Sequence, residues 1–326
     1  DVYKRQPILQ CRGILVLAGD HCQLPPTIMS KQSHVVQGLG RTLFQRLMEV
    51  YGDTTPPTIN NHNHNHNHNS RQEGGGRISR MLRVQYRMHQ NIANWASTVM
   101  YHNNLVTHDS VATRTLSQLV QKSNCDEQQQ QSIEPKDDDN DDDEDSTTAA
   151  AVTEADMALL LIDTAGCDMY ESETASGSKL NRGEADCVAK HVIDTLLTTV
   201  GIREEQIAII TPYSGQVELL KSMLLPTHPK LEIRTVDGFQ GGEREAVVLS
   251  LVRSNSNGRA RNIGFLSDDR RLNVAVTRAK RHCAVICDSD TVSVSTFVTS
   301  LITWIEQYGE QRSAIEFLQE DGETSI

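Results

Sequence analysis

The chain has 326 residues, of which 37% are hydrophobic, and a formal net charge of -12; that is enough apolar content for one sizeable core or two smaller ones with unstructured additions. No run approaches the roughly 20 apolar residues that span a bilayer, and no charged leader precedes an apolar stretch, so a membrane protein is excluded and a cytoplasmic or nuclear setting is expected. The acidity is local: residues 134–145 hold nine acids against one lysine and residues 305–326 six acids against one arginine, which leaves the remainder near neutral and keeps nucleic acid open as a partner.

In chain order, Asp1 to Gln6 reads as a translated transposon-type sequencing adapter and is set aside, with the native chain expected to begin upstream. Ile14–Ala18 is the apolar run of a buried strand, and it closes in Ala18-Gly19-Asp20-His21-Cys22-Gln23-Leu24-Pro25-Pro26-Thr27. Polar side chains such as Asp20 and Gln23 at the carboxyl end of a strand sit where open α/β sheets bind ligands. Gln23 can orient a water or touch a terminal phosphate there, while the paired prolines fix the departing chain. Taken alone, the same residues make a turn after a strand.

Residues 53–76 alternate Asn with His62, His64, His66 and His68 before a triple glycine. Four histidines suit a metal, but a low-complexity surface loop is the simpler reading, and no metal site is assigned. A strand at Arg80–Val84 leads through Gln85-Tyr86-Arg87-Met88-His89 into a helix containing Trp95; an arginine beside an aromatic is a surface pair or a cation–π contact. Residues 122–153 carry glutamine and aspartate runs. Neither insert has apolar surface to offset the entropy of ordering it. The acidic run suits a basic partner, with a solvated loop as the plainer alternative.

Further strands are expected at Ala158–Asp163, Gln206–Thr211, Leu231–Thr235, Ala246–Val252 and Cys283–Cys287. Asn181 with Glu184 forms a capping box that starts a helix to Leu197, and Gly215–Leu224 is helical by spacing. Short apolar runs alternating with amphipathic stretches indicate an α/β fold around a parallel sheet. Thr211 and Tyr213 close one strand-to-helix turn. In Thr235-Val236-Asp237-Gly238-Phe239-Gln240-Gly241-Gly242-Glu243-Arg244-Glu245 the glycines let backbone amides approach an anion or ribose, and a carboxylate can hold ribose hydroxyls. Arg270 to Arg281 reads as a helix with Arg271 and Arg278 on one face. The seven cysteines are scattered without a C-x-x-C pair, so reduced thiols are expected.

Four of these blocks, in this order, resemble motifs of superfamily 1 helicases: Gly-Asp-x-x-Gln-Leu-Pro-Pro is similar to motif III, Gln-Tyr-Arg-Met to the segment of the nonsense-mediated-decay-helicase group, residues 235–245 to motif V and residues 270–281 to motif VI. Leu160 to Gly166 and Cys283 to Ser289 look most like the immunoglobulin mu-binding protein helicases. The resemblance implies a RecA-like sheet of the P-loop NTPase type, ATP with Mg²⁺, and single-stranded RNA or DNA as the track, travelled 5′ to 3′. It places Tyr86 near the base, Arg87 and Gln23 at the terminal phosphate, and Asp20, Gly241 and Glu243 about the nucleotide, with Glu243 at the ribose. It also makes Arg278 an arginine finger, a group that contributes roughly 10³–10⁵ in rate in other NTPases. Thr211, Tyr213 and Thr235 fall by the strand backbone. Gly242 departs from the arginine common in the family, which puts in doubt a contact made there.

No G-x-x-x-x-G-K-[ST] occurs, and no Gly-Lys pair at all; Asp143-Glu144 sits in the acidic run rather than at a strand end. The magnesium ligands are therefore expected upstream, and the chain as it stands is expected not to hydrolyse ATP. Residues 7–40 read as the tail of a first RecA-like domain, 41–310 as the second, with the ATP site between them, and 311–326 as an acidic tail. The alternatives are a non-catalytic nucleic-acid-binding scaffold on a decayed helicase domain and a helicase fused to a nuclease.

Overall fold

A run such as Leu159-Leu160-Leu161-Ile162 has no polar side to turn toward water, so it is stable as a strand where both faces of its sheet are covered. The computed structural model describes residues 10, 12–14, 16–24, 41–51, 79–121, 154–255 and 263–319. They fall in two compact units, Asp1–Leu82 and Arg83–Ile326, each taken by itself. The first unit contains α1 (Leu43–Tyr51), although the sequence placed the domain boundary ahead of it. The second runs β1 (Val84–Gln85), α2 (Gln90–Met100), β2 (Val106–Thr107), β3 (Leu159–Asp163), β4 (Ser172–Glu173), β5 (Lys179–Leu180), α3 (Arg182–Lys190), β6 (Ile207–Thr211), α4 (Ser214–Leu224), β7 (Glu232–Thr235), β8 (Arg244–Ser250), α5 (Asp269–Val276), β9 (Ala279–Cys287), α6 (Thr296–Tyr308), β10 (Glu310–Ser313) and α7 (Ala314–Gln319).

Six of these strands form one sheet in the order β10-β3-β9-β8-β6-β7, parallel throughout. The register aligns Leu160, Ala284 and Val248 on one face and Leu161, Val285 and Leu249 on the other. On the first face Leu160, Ile162, Ile209, Val248 and Ile286 pack with Val188 and Val192, Leu220 of α4 and Phe317 of α7. The residues of the second face are buried as well, and so are Trp95 of α2, Val274 of α5 and Leu301 of α6. The uninterrupted apolar runs follow from this double burial, and the α/β class expected from the sequence is the one observed.

Several element boundaries differ from expectation. Residues 14 and 16–18 do not form a strand, and Ile14 and Val16 are 93% and 83% exposed; an apolar run becomes a strand only in a sheet, and the described strands all lie in the second unit. The strand expected at Arg80–Val84 reduces to the two residues of β1, paired with β2. At the other end, residues 310–319 are not a tail: β10 is an edge strand beside β3, and Ala314 and Phe317 are buried. That strand carries no apolar residue, and Arg312 pairs with Glu154 and Glu310, which hides it from a hydrophobic pattern. The His/Asn repeat, the acidic run and residues 320–326 lie outside the described residues.

Asn181 does cap α3, its side chain accepting the Glu184 N–H at 3.0 Å, but the reciprocal half of the capping box is absent. Glu184 instead accepts hydrogen bonds from the Ser250 hydroxyl (2.7 Å) and the Val252 N–H (2.8 Å), and the Asn181 N–H goes to Gln216. This buried network holds Val252 at a φ of 73°, a conformation unfavourable for a β-branched residue. Beyond α3 the chain continues as a π-helix over His191–Thr199, where Thr198 and Thr199 donate their hydroxyls to carbonyls five residues back. Among the described residues Cys22, Cys167, Cys187, Cys283 and Cys287 are free thiols, and no helix is long and apolar enough to cross a membrane.

Burial pushes the Glu184 carboxyl up to about 8, against hydrogen bonds from Ser250 and Val252 that favour its charged form. The folded state then keeps a proton that the unfolded chain releases, so this contribution to stability is complete below pH ~4.5 and is lost as pH rises through ~8. Glu184→Gln removes the titration, and the melting temperature of the variant relative to the parent is expected to rise steadily from about pH 5 to about pH 9. A difference that stays flat over that range counts against a protonated Glu184.

Candidate functional site

Gln85 shapes the segment after β1. Its side-chain Oε1 accepts the N–H groups of Arg87 and Met88, both at 2.8 Å, and its side-chain Nε2 donates to the Met88 carbonyl and the Thr107 hydroxyl. His89 then caps α2 by accepting the Asn91 N–H, and its own N–H donates to the Lys280 carbonyl at 2.8 Å, fixing the turn to the start of β9. Tyr86 is left facing solvent, 62% exposed, stacked on His108 with ring centroids 4.5 Å apart.

Arg87 turns the other way, donating from Nε to Glu243 Oε2 at 2.5 Å and from Nη1 to the Thr277 carbonyl at 3.4 Å. The second oxygen of Glu243 lies 3.2 Å from Lys280 Nζ. Lys280 also reaches Glu245 Oε1 at 3.2 Å, and Arg281 Nε donates to Glu245 Oε2 at 2.8 Å. Partial burial alone would raise both carboxyls; the hydrogen bond from Lys280 and the charge of Arg87 hold Glu243 below the usual carboxylate range, and Arg281 with Lys280 does the same for Glu245. The cluster sits at the amino ends of β8 and β9, where Arg244 is level with Ala279, at the opposite edge from the one that ligands of open α/β sheets ordinarily use.

Arg278 borders the cluster but is 2% exposed. The single helix expected over residues 270–281 ends at Val276, so Arg271 and Arg278 do not share a helix face. The Thr277 hydroxyl bonds back to the carbonyls of Asn273 and Val274, and residues 279–281 are taken up by β9 in its pairing with β8. The Arg278 guanidinium donates to the carbonyls of Val274 (2.9 Å) and Gly242 (3.3 Å) and to the Thr277 hydroxyl (3.3 Å). It thereby ties the end of α5 to the turn that holds Gly241, whose φ of 85° favours glycine. A side chain at Gly242 would begin 3.0–3.1 Å from the Phe239 ring, which gives the departure from arginine a steric context.

The remaining expected residues are dispersed. Thr235, at the end of β7, accepts the Gly238 N–H on its hydroxyl at 3.2 Å. Thr211 and Tyr213 are buried, and the Tyr213 hydroxyl donates to the Ile263 carbonyl. Asp20 and Gln23 belong to the first unit; Asp20 accepts the Cys22 N–H and the Gln23 side-chain amide, both at 2.9 Å. Asp20, His21 and Cys22 place ligand atoms within 4.8 Å of one another. An imidazole and a thiol do not suit Mg²⁺, which takes oxygen ligands, so this set does not fit the magnesium that the resemblance implies. Lys280, Glu245, Arg281 and the nearby Arg114, which donates to the Lys280 carbonyl, were not anticipated. Their signal was the Glu-Arg-Glu start of one strand against the Lys-Arg start of another, meaningful only once those strands are known to be neighbours.

A parallel sheet covered on both faces, with helices on each side, is the architecture of a RecA-like α/β domain. The AAA domain family matches residues 39–290. DNA-binding protein SMUBP-2 of Rattus norvegicus is 42% identical over 306 residues, covering 94% of this chain and 25% of that protein. DNA polymerase alpha-associated DNA helicase A of Saccharomyces cerevisiae is 32% identical over 309 residues, 91% of this chain and 38% of that one, and the regulator of nonsense transcripts 1 homolog of Drosophila melanogaster is 32% identical over 282 residues, 84% and 18% respectively. The chain belongs to this AAA domain family and, within it, to the superfamily 1 helicases of the nonsense-mediated-decay-helicase group. It spans about a quarter of the length of the SMUBP-2 relatives.

Glu245 is a half-buried carboxylate shared by Lys280 and Arg281, and its removal takes one acceptor from each, leaving Lys280 with Glu243 and Arg281 with the Thr115 carbonyl. Glu245→Ala is expected to lower unfolding free energy by about 1–3 kcal/mol in urea titrations, with Glu245→Gln retaining part of the loss. An alanine variant as stable as the parent would show that Lys280 and Arg281 are already satisfied elsewhere.

Proposed function

We propose that the full-length protein is an ATP-driven motor on single-stranded nucleic acid, working in the cytoplasm or nucleus and moving 5′ to 3′, with residues 7–40 as the tail of a first RecA-like domain and the sheet-bearing unit as the second. The observation that carries this reading is the Arg87–Glu243 pair: residues from two motifs 156 positions apart meet at one edge of the sheet, with Arg278 from a third motif against the same turn. Relatives named as a DNA-binding protein, a DNA helicase and a regulator of nonsense transcripts support nucleic acid as the track, and the choice between RNA and DNA is left to experiment.

In this reading a terminal phosphate draws Arg87 away from Glu243, and the carboxylate so released accepts ribose hydroxyls. Tyr86 offers its exposed ring to the base, with Gly241 near the nucleotide, while Asp20 and Gln23 of the first unit keep the nucleotide-contact roles that the resemblance implies. Thr235, with the strand ends at Thr211 and Tyr213, lies toward the nucleic acid, and backbone contacts make binding salt-dependent and weakly sequence-selective. ATP is the substrate. Mg²⁺ accompanies its phosphates, held by residues other than those described, and no step is assigned to it.

Arg278 supplies the transition-state charge once it leaves its carbonyl partners. In the full-length protein Arg278→Ala is expected to lower strand-stimulated ATP hydrolysis by about 10³-fold or more, with strand affinity within about twofold of the parent. Hydrolysis at the parental rate would remove the arginine-finger assignment. If the unaltered full-length protein bound strands but hydrolysed no ATP, the scaffold reading would replace the motor.

A further inference from the structure

Tyr213 is turned inward, and what it supports is the residue of interest. Its hydroxyl donates to the Ile263 carbonyl at 3.2 Å and receives an N–H of Arg253 at 3.4 Å. Arg253 is itself held by Glu171 through Nε at 2.6 Å, in a pair whose side chains are only 10% and 8% exposed. Gly264 follows Ile263 with a φ of 59°, packed so closely that a Cβ would lie 2.8 Å from the Tyr213 hydroxyl and 3.2 Å from Arg253. These constraints converge on Phe265, whose ring meets that of Tyr213 edge-on, with centroids 5.4 Å apart and planes at 76°.

Phe265 is nonetheless 46% exposed. Phe265 lies in a single 3₁₀ turn, Gly264–Ser267, and a surface phenylalanine ordinarily folds its ring inward, because each apolar area removed from water is favourable. Here a buried ion pair, a tyrosine hydroxyl and a left-handed glycine fix the backbone that keeps the ring outward. The Arg271 guanidinium lies 5.1 Å over the ring, and Arg271 also reaches Asp237 at 3.4 Å, which opens the turn just after Thr235. Because Arg271 shares its charge with Asp237 and Asp268, attraction of a phosphate is not its main capacity at this point. What the surface offers is a rigid, flat, half-exposed π face beside the Thr235 turn.

We infer that Phe265 is a stacking platform for a base of single-stranded nucleic acid, an inference that rests on the nucleic-acid reading above. Base–aromatic stacking tolerates any sequence, since every base has a π face, and that matches a motor that must pass along its track. Arg271 steadies the ring from one side, leaving stacking itself as the source of affinity.

The test compares binding of the full-length protein, without nucleotide, to a homopolymer single strand and to an abasic strand of equal length. Phe265→Leu keeps apolar packing against Tyr213 and removes the π face; Phe265→Trp keeps stacking. The leucine variant is expected to bind the homopolymer about tenfold more weakly and the abasic strand within about twofold of the parent, while the tryptophan variant binds both as the parent does. Parental affinity of the leucine variant for the homopolymer, or an equal loss on both strands, overturns the platform. If the parent binds neither strand, the nucleic-acid reading falls first.

Discussion

Parallel pairing of β8 with β9 sets residue 244 level with residue 279 and, after a one-residue shift between residues 244 and 246, residue 250 level with residue 286, and both ends of the strand pair take their polar neighbours from that pairing. At the amino end it brings Glu243 and Glu245 opposite Lys280 and Arg281, four charges that no local structure would assemble. At the carboxyl end it delivers Ser250 and Val252 to Glu184 on the neighbouring helix. A slip of one residue would turn every side chain of a strand to the other face, so the doubly buried apolar pattern that fixes the sheet also fixes the polar groups at its edges.

The two ends use opposite electrostatics. Around Glu243 the Arg87 and Glu243 side chains remain about a third exposed, and partly solvated pairs are individually weak, as the proposed exchange for a ligand requires. Around Glu184 and the Arg253–Glu171 pair almost nothing is exposed. Breaking a buried pair by removing one partner is strongly destabilising, so those groups are suited to holding backbone geometry, Val252 and Gly264 in particular, and not to exchanging partners.

The class of fold was legible because interior strands of a parallel sheet are apolar without interruption, and the runs at Leu159, Ile207, Ala246 and Cys283 carry that mark. β10 was not, because Glu310-Gln311-Arg312-Ser313 stabilises an edge through Arg312 ion pairs and carries no apolar pattern. Ile14–Ala18 misled for the converse reason: apolar composition states a preference for burial without supplying the neighbouring strand. The motifs singled out Arg87, Glu243 and Arg278, and the fold brings these three together around one turn. Lys280 and Glu245 escaped because charge at a strand end is informative only with the register. Asn181 was read correctly as a cap, while Glu184 was assigned to the wrong partner because a buried hydroxyl and a strained N–H compete for its carboxylate.

Arg278 is the residue on which the proposed arginine-finger role places the largest demand. Its guanidinium is engaged by two carbonyls and a hydroxyl, and hydrogen bonds to a charged group are individually worth about 1.5–3 kcal/mol. A ligand can shift this arrangement only by as much as it prefers the released state, so the proposed recruitment of Arg278 requires a charged group at the nucleotide. Release also withdraws a donor from the Gly242 carbonyl, next to the residue that holds Arg87. In the proposed motor, recruitment of Arg278 and exchange at Glu243 would be joined through the peptide between Gly242 and Glu243.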